Sequence, residues 1–212
     1  MMNEHDFFSG KNIRRIAPHI LEQLKGYGAC IVSDTLKGFN VMDSRIQALV
    51  PGKPICGCAV TVRVRPGDKL FLHKAIEEAQ EGDVLVVDTG CDYRTAVVGG
   101  IMSSAAFGKR KIAGLVIDGV VRDVEELRAP KYPVFAAGVV PNTGEDDGPG
   151  MLNLPISCGN IPVMPGDVIV GDDNGVVVIP ADYCEVVLKI CADKVAKEHQ
   201  RMDEIEHGQI TS

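Results

Sequence analysis

Arg122 and Asp123 stand side by side at the end of an apolar run, and their side chains suit two linked tasks. A guanidinium grips a planar carboxylate through two parallel hydrogen bonds. A carboxylate next to it can hold a hard cation such as Mg²⁺. An arbitrary Arg-Asp dipeptide is more often a solvated ion pair or a pair of helix-cap charges. This one follows Gly114-Leu115-Val116-Ile117-Asp118-Gly119-Val120-Val121. That stretch reads as a buried strand, being apolar and β-branched up to Asp118. Asp118-Gly119 reads as a turn. Functional groups on α/β folds gather beyond strand C-terminal ends, which moves the reading towards a site.

A second stretch, Gly99-Gly100-Ile101-Met102, opens a pattern that reads as a helix up to Phe107. Backbone N–H groups at a helix start are unpaired, lie at the positive end of the dipole and bind anions. A Gly-Gly pair is also an ordinary turn. No Walker pattern and no Gly-x-Gly-x-x-Gly is present, so a nucleotide phosphate site is not supported. Taken together, the amides of Gly99 to Met102, Arg122 and a cation on Asp123 would form a site for a 2-oxo acid. The amides and Arg122 would clamp the carboxylate, and the metal would act as Lewis acid while a neighbouring carbon–carbon bond breaks. The histidines His5, His19, His73, His199 and His207 are dispersed, and no nucleophile constellation competes. A Schiff-base lysine stays open as an alternative, although no lysine lies in an apolar run that would lower its pKa.

The elements that must position these residues alternate early and pair late. Ile13 to Leu24 has helical spacing interrupted by Pro18, with Gly26 and Gly28 expected to end it. Ala29 to Val32 reads as a short strand, with Ser33-Asp34 capping a helical turn. Ile46 to Val50 and Ile55 to Val64 read as extended, Lys69 to Ala79 as a helix, and Val84 to Val87 as a buried strand. After the central strand, Val124 to Leu127 reads as a short helix and Val134 to Ala136 as a strand. Residues 139–155 form a Gly/Pro/Asp-rich loop of the kind that serves function or an interface. Short strands follow at 155–157, 161–163 and 168–170. Asp172-Asp173-Asn174-Gly175 is a hairpin signal into Val176 to Pro180. Tyr183 to Ile205 reads as a long helix whose last turns are expected to reach a neighbouring subunit. This order argues for a layered α/β sandwich of mixed sheets.

Composition bounds the class. The 212 residues, 45% of them hydrophobic, suffice for one substantial core, and one domain over 1–212 with an N-terminal helix and a C-terminal helical extension is expected. A net charge of −7 and no basic face argue against nucleic acid. Gly108-Lys109-Arg110-Lys111 reads as the solvated end of a helix. Met1 to Asp6 shows no secretory pattern, and no apolar run approaches the ~20 residues that span a bilayer. The seven scattered cysteines read as reduced thiols of a cytoplasmic protein. Cys56-Gly57-Cys58 reads as small residues alternating in a strand, with no second Cys/His pair at zinc spacing.

With those residues in view, the sequence resembles the RraA-like family over roughly residues 28–182. The likeness is carried by Ser33-Asp34, Gly57 to Val62, Gly82 to Asp88 and Gly99-Gly100. It continues through Ile117-Asp118-Gly119-Val120-Val121-Arg122-Asp123, Pro133 to Ala136, and Pro165 to Pro180. The family includes class II aldolases that cleave 4-hydroxy-4-methyl-2-oxoglutarate and 4-carboxy-4-hydroxy-2-oxoadipate to pyruvate, and the regulator of ribonuclease activity A. The resemblance implies an α/β/β/α sandwich of the swivelling-domain kind. It implies Mg²⁺ or Mn²⁺ on Asp123, partly through waters, substrate carboxylate on Arg122 and on the amides of Gly99, Gly100, Ile101 and Met102, and a metal-bound water as proton carrier. Oxaloacetate decarboxylation is the related activity it implies, and a non-enzymatic ribonuclease-binding regulator is the alternative. Glu126 fits the family's acidic position three after the Asp. A trimer or hexamer with sites between subunits is also implied, a neighbour's C-terminal glutamate joining the site, for which Glu198 is the choice here. Two departures stand out. Gly100 is the variant without an extra carboxylate, and the segment from Gly100 to Arg122 is one residue longer than usual, around Phe107-Gly108-Lys109-Arg110.

Overall fold

The strand Ile55–Val64 is the hinge of the architecture, because its two ends belong to different neighbours. A computed structural model describes residues 8–10 and 12–208. In chain order the elements are α1 (Pro18–Thr35), β1 (Gln47–Ala48), β2 (Ile55–Val64), α2 (Leu70–Glu78), β3 (Val84–Asp88) and α3 (Gly100–Ser103). A π-helical turn at Ser104–Lys109 leads into β4 (Gly114–Val121), α4 (Val124–Arg128) and β5 (Val134–Val139). Then come β6 (Gly150–Leu152), β7 (Ile156–Cys158), β8 (Ile161–Val163), β9 (Val168–Asp172), β10 (Gly175–Ile179) and α5 (Cys184–Glu206).

The main sheet runs β1-β5-β4-β3-β2-β9-β10, with β6 also on β2, and β7-β8 is a separate hairpin. β2 to β5 are parallel to one another, while β1, β6, β9 and β10 join antiparallel. Period-two alternation of side chains sorts the core into three layers. Val84, Val86, Val116, Phe135, Ile169, Val176 and Val178 face one another in the middle. Leu85, Val87, Leu115 and Ile117 point outward to Phe71, Leu72 and Ile76 of α2. Val168, Val170, Val177 and Ile179 point outward on the other side, to Ile20, Leu24 and Val32 of α1 and to Val187 and Cys191 of α5. The expected α/β/β/α sandwich of mixed sheets is what these layers form. Even-numbered residues of β2 serve both outer layers: Cys56 and Cys58 meet the α1/α5 side, and Val60, Val62 and Val64 the α2 side.

Several local readings are corrected. Ser33-Asp34 lie inside α1 and do not cap a new turn, and the 139–155 stretch carries the strand β6. Ala29 to Val32 is helical, not a strand. Gly28, at φ 75°, kinks the helix instead of ending it, and the first N–H beyond the kink, that of Ala29, donates to Asp172 Oδ2 at 2.8 Å. The helix itself starts at Pro18, which sits in its first turn, where a missing N–H costs nothing. Asp118-Gly119 is not a turn but the interior of β4. The Asp118 carboxylate is buried and takes a two-pronged bond from Arg45, Nε at 3.1 Å and Nη2 at 2.9 Å. Gly159 N–H donates to it at 2.8 Å and Tyr93 Oη at 3.4 Å. A Cβ at position 119 would lie 2.5 Å from Thr89 Oγ1, so glycine is there for close approach. Burial first, then the bond to Cys91 and the charge of Asp118, push the Tyr93 phenol up to about 12.

All seven cysteines are free, and only Cys30 and Cys91 are exposed. Burial pushes the Cys56 and Cys184 thiols up to about 12, and a thiol reacts as its thiolate. A disulfide reagent at neutral pH is therefore expected to modify two thiols rapidly in the native protein and seven after unfolding. Fast loss of five or more native thiols would contradict this packing. Among the described residues no helix is long and apolar enough to cross a membrane.

Candidate active site

The end of β4 is bound to the segment before α3. Val97 N–H donates to Val120 O at 3.2 Å and Arg122 N–H to Val98 O at 2.9 Å. This pairing lays Gly99-Gly100 against Arg122-Asp123, which the sequence separates by more than twenty positions. Asp123 heads α4 in the left-handed region, at φ 57° and ψ 45°, a conformation that Asp and Asn tolerate better than most residues. Its Oδ2 accepts the Gly100 N–H at 3.1 Å and lies 3.4 Å from Arg122 Nε. Both side chains are about one-third exposed, so the pair is neither core nor free surface.

The two glycines are required by what packs on them. A Cβ on Gly99 would lie 2.5 Å from Asp123 Oδ2 and 3.1 Å from Arg122 Nε, and one on Gly100 would overlap the Glu126 carboxylate. Glu126 is thus brought to the same corner as Asp123. The anion-binding reading of the amides needs one amendment: the Gly100 N–H already serves Asp123. Among the described residues Asp123 Oδ1 has no hydrogen bond.

A cavity of about 200 Å³ opens onto this corner, walled by Val98, Gly99, Ile101, Met102, Arg122 and Asp123. Lys69, His73 and Thr143 also line it, and the motifs single out none of the three. The spacing of Lys69 and His73 was the available signal. Residues four apart share a helix face, and this pair lies beside the apolar stripe of α2. Both are paired with Asp146, Lys69 Nζ at 2.9 Å and His73 Nε2 at 3.3 Å. Glu198 lies elsewhere: it pairs with Lys194 at 3.3 Å, which also reaches Asp34 of α1, in the layer across the sheet from the cavity.

The family model of RraA-like proteins, described as Aldolase/RraA, matches residues 29–178. This chain belongs to the RraA-like family. A Halalkalibacterium halodurans relative that carries the provisional name 4-hydroxy-4-methyl-2-oxoglutarate aldolase is 38% identical over 181 residues, 85% of this chain and 86% of the relative. A Thermus thermophilus protein named 4-hydroxy-4-methyl-2-oxoglutarate aldolase is 34% identical over 113 residues, 53% of this chain and 68% of its own. Among solved structures, an uncharacterised Pseudomonas syringae protein superposes with a TM-score of 0.83 at 26% identity, over 95% of this chain and 94% of that one. A Thermus structure described as the RNA-processing inhibitor RraA gives a TM-score of 0.64 at 30% identity, over 70% of this chain and 90% of that one.

In this RraA-like chain the segment between Gly100 and Arg122 contains an irregular helical turn. Residues Ser104–Lys109 wind as a π-helix, with Arg110 N–H donating to Ala105 O at 3.3 Å. A π turn takes one residue more than an α turn, and this one lies between α3 and β4, outside the residues that line the Arg122–Asp123 cavity. Lys109, Arg110 and Lys111 are exposed at the end of that turn, as the sequence suggested.

Proposed function

We propose that this RraA-like protein is a divalent-metal-dependent lyase that cleaves 4-hydroxy-2-oxo acids of the 4-hydroxy-4-methyl-2-oxoglutarate type to pyruvate, and decarboxylates oxaloacetate by the same electron flow. The observation that carries the reading is the lock of Asp123 Oδ2 on the Gly100 amide beside Arg122, at the mouth of a cavity of substrate size. The names of the relatives support the substrate class.

Among the described residues no three His, Cys, Asp or Glu side chains form a ready metal cage. Mg²⁺ does not need one, since it binds through one or two carboxylates and keeps several waters. Asp123, partly exposed and with Oδ1 unengaged, fits that role, and the cation it would hold supplies Lewis acidity to the substrate's 2-oxo group. Arg122 then takes the adjacent carboxylate with its planar fork, helped by the amides of Ile101 and Met102, and Asp123 keeps that guanidinium in place. The C4 hydroxyl gives its proton to water in the cavity, C4 becomes a carbonyl, and the C3–C4 electron pair moves towards C2. Water returns a proton to C3, which completes pyruvate. In oxaloacetate the departing group is carbon dioxide.

Assembly as a homotrimer or homohexamer belongs to the same reading. Val186, Ile190, Met202 and Ile205 stand exposed on α5, which supports a contact between copies, and Glu198 of a neighbour would reach the site only across such a contact.

The test is pyruvate release from 4-hydroxy-4-methyl-2-oxoglutarate and from oxaloacetate, with Mg²⁺ and with chelator. Release that ignores the chelator, or none at all, would sink the proposal. Absence of turnover together with capture of a ribonuclease would favour the regulator reading, which the Thermus RraA fold keeps in view. Gly99→Ala is expected to lower release about 10²-fold with unfolding unchanged, because displacing a site group by about 1 Å costs that much and its Cβ would meet both Asp123 and Arg122.

A further inference from the structure

Arg122 accounts for one carboxylate, yet the cavity holds a second cation, Lys69, with the His73 ring beside it. Lys69 and His73 line it from the start of α2, and a single carboxylate from the chain itself, that of Asp146, sits on both. Asp146 belongs to the segment between β5 and β6. That segment stays in place without its side chain. Glu145 N–H donates to Gly67 O at 2.7 Å and Lys69 N–H to Glu145 O at 3.0 Å. Asp68 Oδ2 accepts from Asp147 N–H at 3.0 Å and Gly148 N–H at 2.6 Å. The Asp146 side chain is 50% exposed, so it can turn into water while the backbone holds. Positive charge also continues past His73. A neighbouring cavity of about 390 Å³ shares His73, Ile101 and Met102 and adds Lys109 and Arg110, against the one acid Glu77.

We propose that the Lys69–His73 edge is the seat of a second carboxylate, held by Asp146 until substrate arrives, so that the cavity selects 4-hydroxy-2-oxo dicarboxylates over the corresponding monoacids. The inference rests on the lyase reading for the first carboxylate at Arg122 and deepens it. A dicarboxylate exchanges one carboxylate for another on the Lys69 ammonium and the His73 ring nitrogen. A monoacid leaves Asp146 where it is and gains nothing there.

Binding without turnover separates this inference from the lyase reading. 2-Oxoglutarate carries both carboxylates but no 4-hydroxyl to cleave, and 2-oxopentanoate has a methyl group in place of the distal carboxylate. Calorimetry of the intact protein in Mg²⁺ is expected to give at least about tenfold tighter binding of 2-oxoglutarate, the scale of one charge-assisted hydrogen bond. Lys69→Met removes that preference by weakening 2-oxoglutarate alone. Asp146→Asn, which removes the resident competitor, tightens 2-oxoglutarate severalfold and leaves 2-oxopentanoate unchanged. Equal affinities in the unaltered protein would overturn the inference. So would equal weakening of both ligands by Lys69→Met, or weaker 2-oxoglutarate binding in Asp146→Asn, the sign of a structural strap. Intact discrimination without pyruvate release from 4-hydroxy-4-methyl-2-oxoglutarate would fell the lyase reading and leave the second seat standing.

Discussion

Asp123→Asn is expected to lower magnesium-dependent pyruvate release by about 10³-fold in kcat/KM, a loss of ~4 kcal/mol of transition-state stabilisation, with no change in unfolding temperature. Asparagine suits this test because it keeps everything but the charge. It tolerates the left-handed backbone at φ 57°, and its amide oxygen can still accept the Gly100 N–H that Asp123 now accepts at 3.1 Å. What it cannot do is neutralise a divalent cation. The half-saturating Mg²⁺ concentration should rise together with the loss of rate. Arg122→Lys is the companion: the positive charge stays but the planar fork is gone, so KM for the 2-oxo acid should rise while the magnesium dependence holds. An Asp123→Asn protein of undiminished rate would remove the cation from this corner and the lyase proposal with it.

How much of this was legible before the fold was known depends on the reach of each interaction. β2 was readable from Ile55 to Val64 because a run of small and β-branched residues, buried almost throughout, is written into adjacent positions. The β9–β10 hairpin was readable because Asp173-Asn174 forms its turn and Gly175 pairs back to Asp172. Arg122 and Asp123 stood out because they end a buried strand. The failures share one cause, a partner far away in sequence. Ala29 to Val32 is helical because Asp172 caps it across the fold, and β4 runs through Asp118 because Arg45 neutralises it. Lys69 and His73 went unremarked for the same reason. Their spacing marks a shared helix face, but nothing near them in the chain says that Arg122 and Asp123 line the same cavity.

The tie between Arg45 and Asp118 makes the second large effect predictable. Arg45→Met is expected to destabilise the protein by about 3 kcal/mol, the low end for breaking a buried pair by removing one partner. The low end applies because Arg45 is 25% exposed and water can partly serve Asp118. At roughly 2–4 °C per kcal/mol for a chain of this size, the melting temperature should fall by about 6–12 °C. The cost arises chiefly from leaving the Asp118 carboxylate, 4% exposed, without its counter-charge. Arg45→Met combined with Asp118→Asn should therefore recover part of the loss, and the coupling in that double-mutant cycle measures the pair itself. If the double variant is as unstable as the sum of its parts, the ion pair is not what holds β4 through Asp118. The site must respond as well. Asp118 is four residues from Arg122 on the strand that presents it, and its other bonds reach Gly159 and Tyr93. Arg45→Met should thus lower stability and pyruvate release together, with release returning in the double variant. Asp123→Asn lowers release alone. That contrast separates the groups that hold the strand from the groups that act at its end.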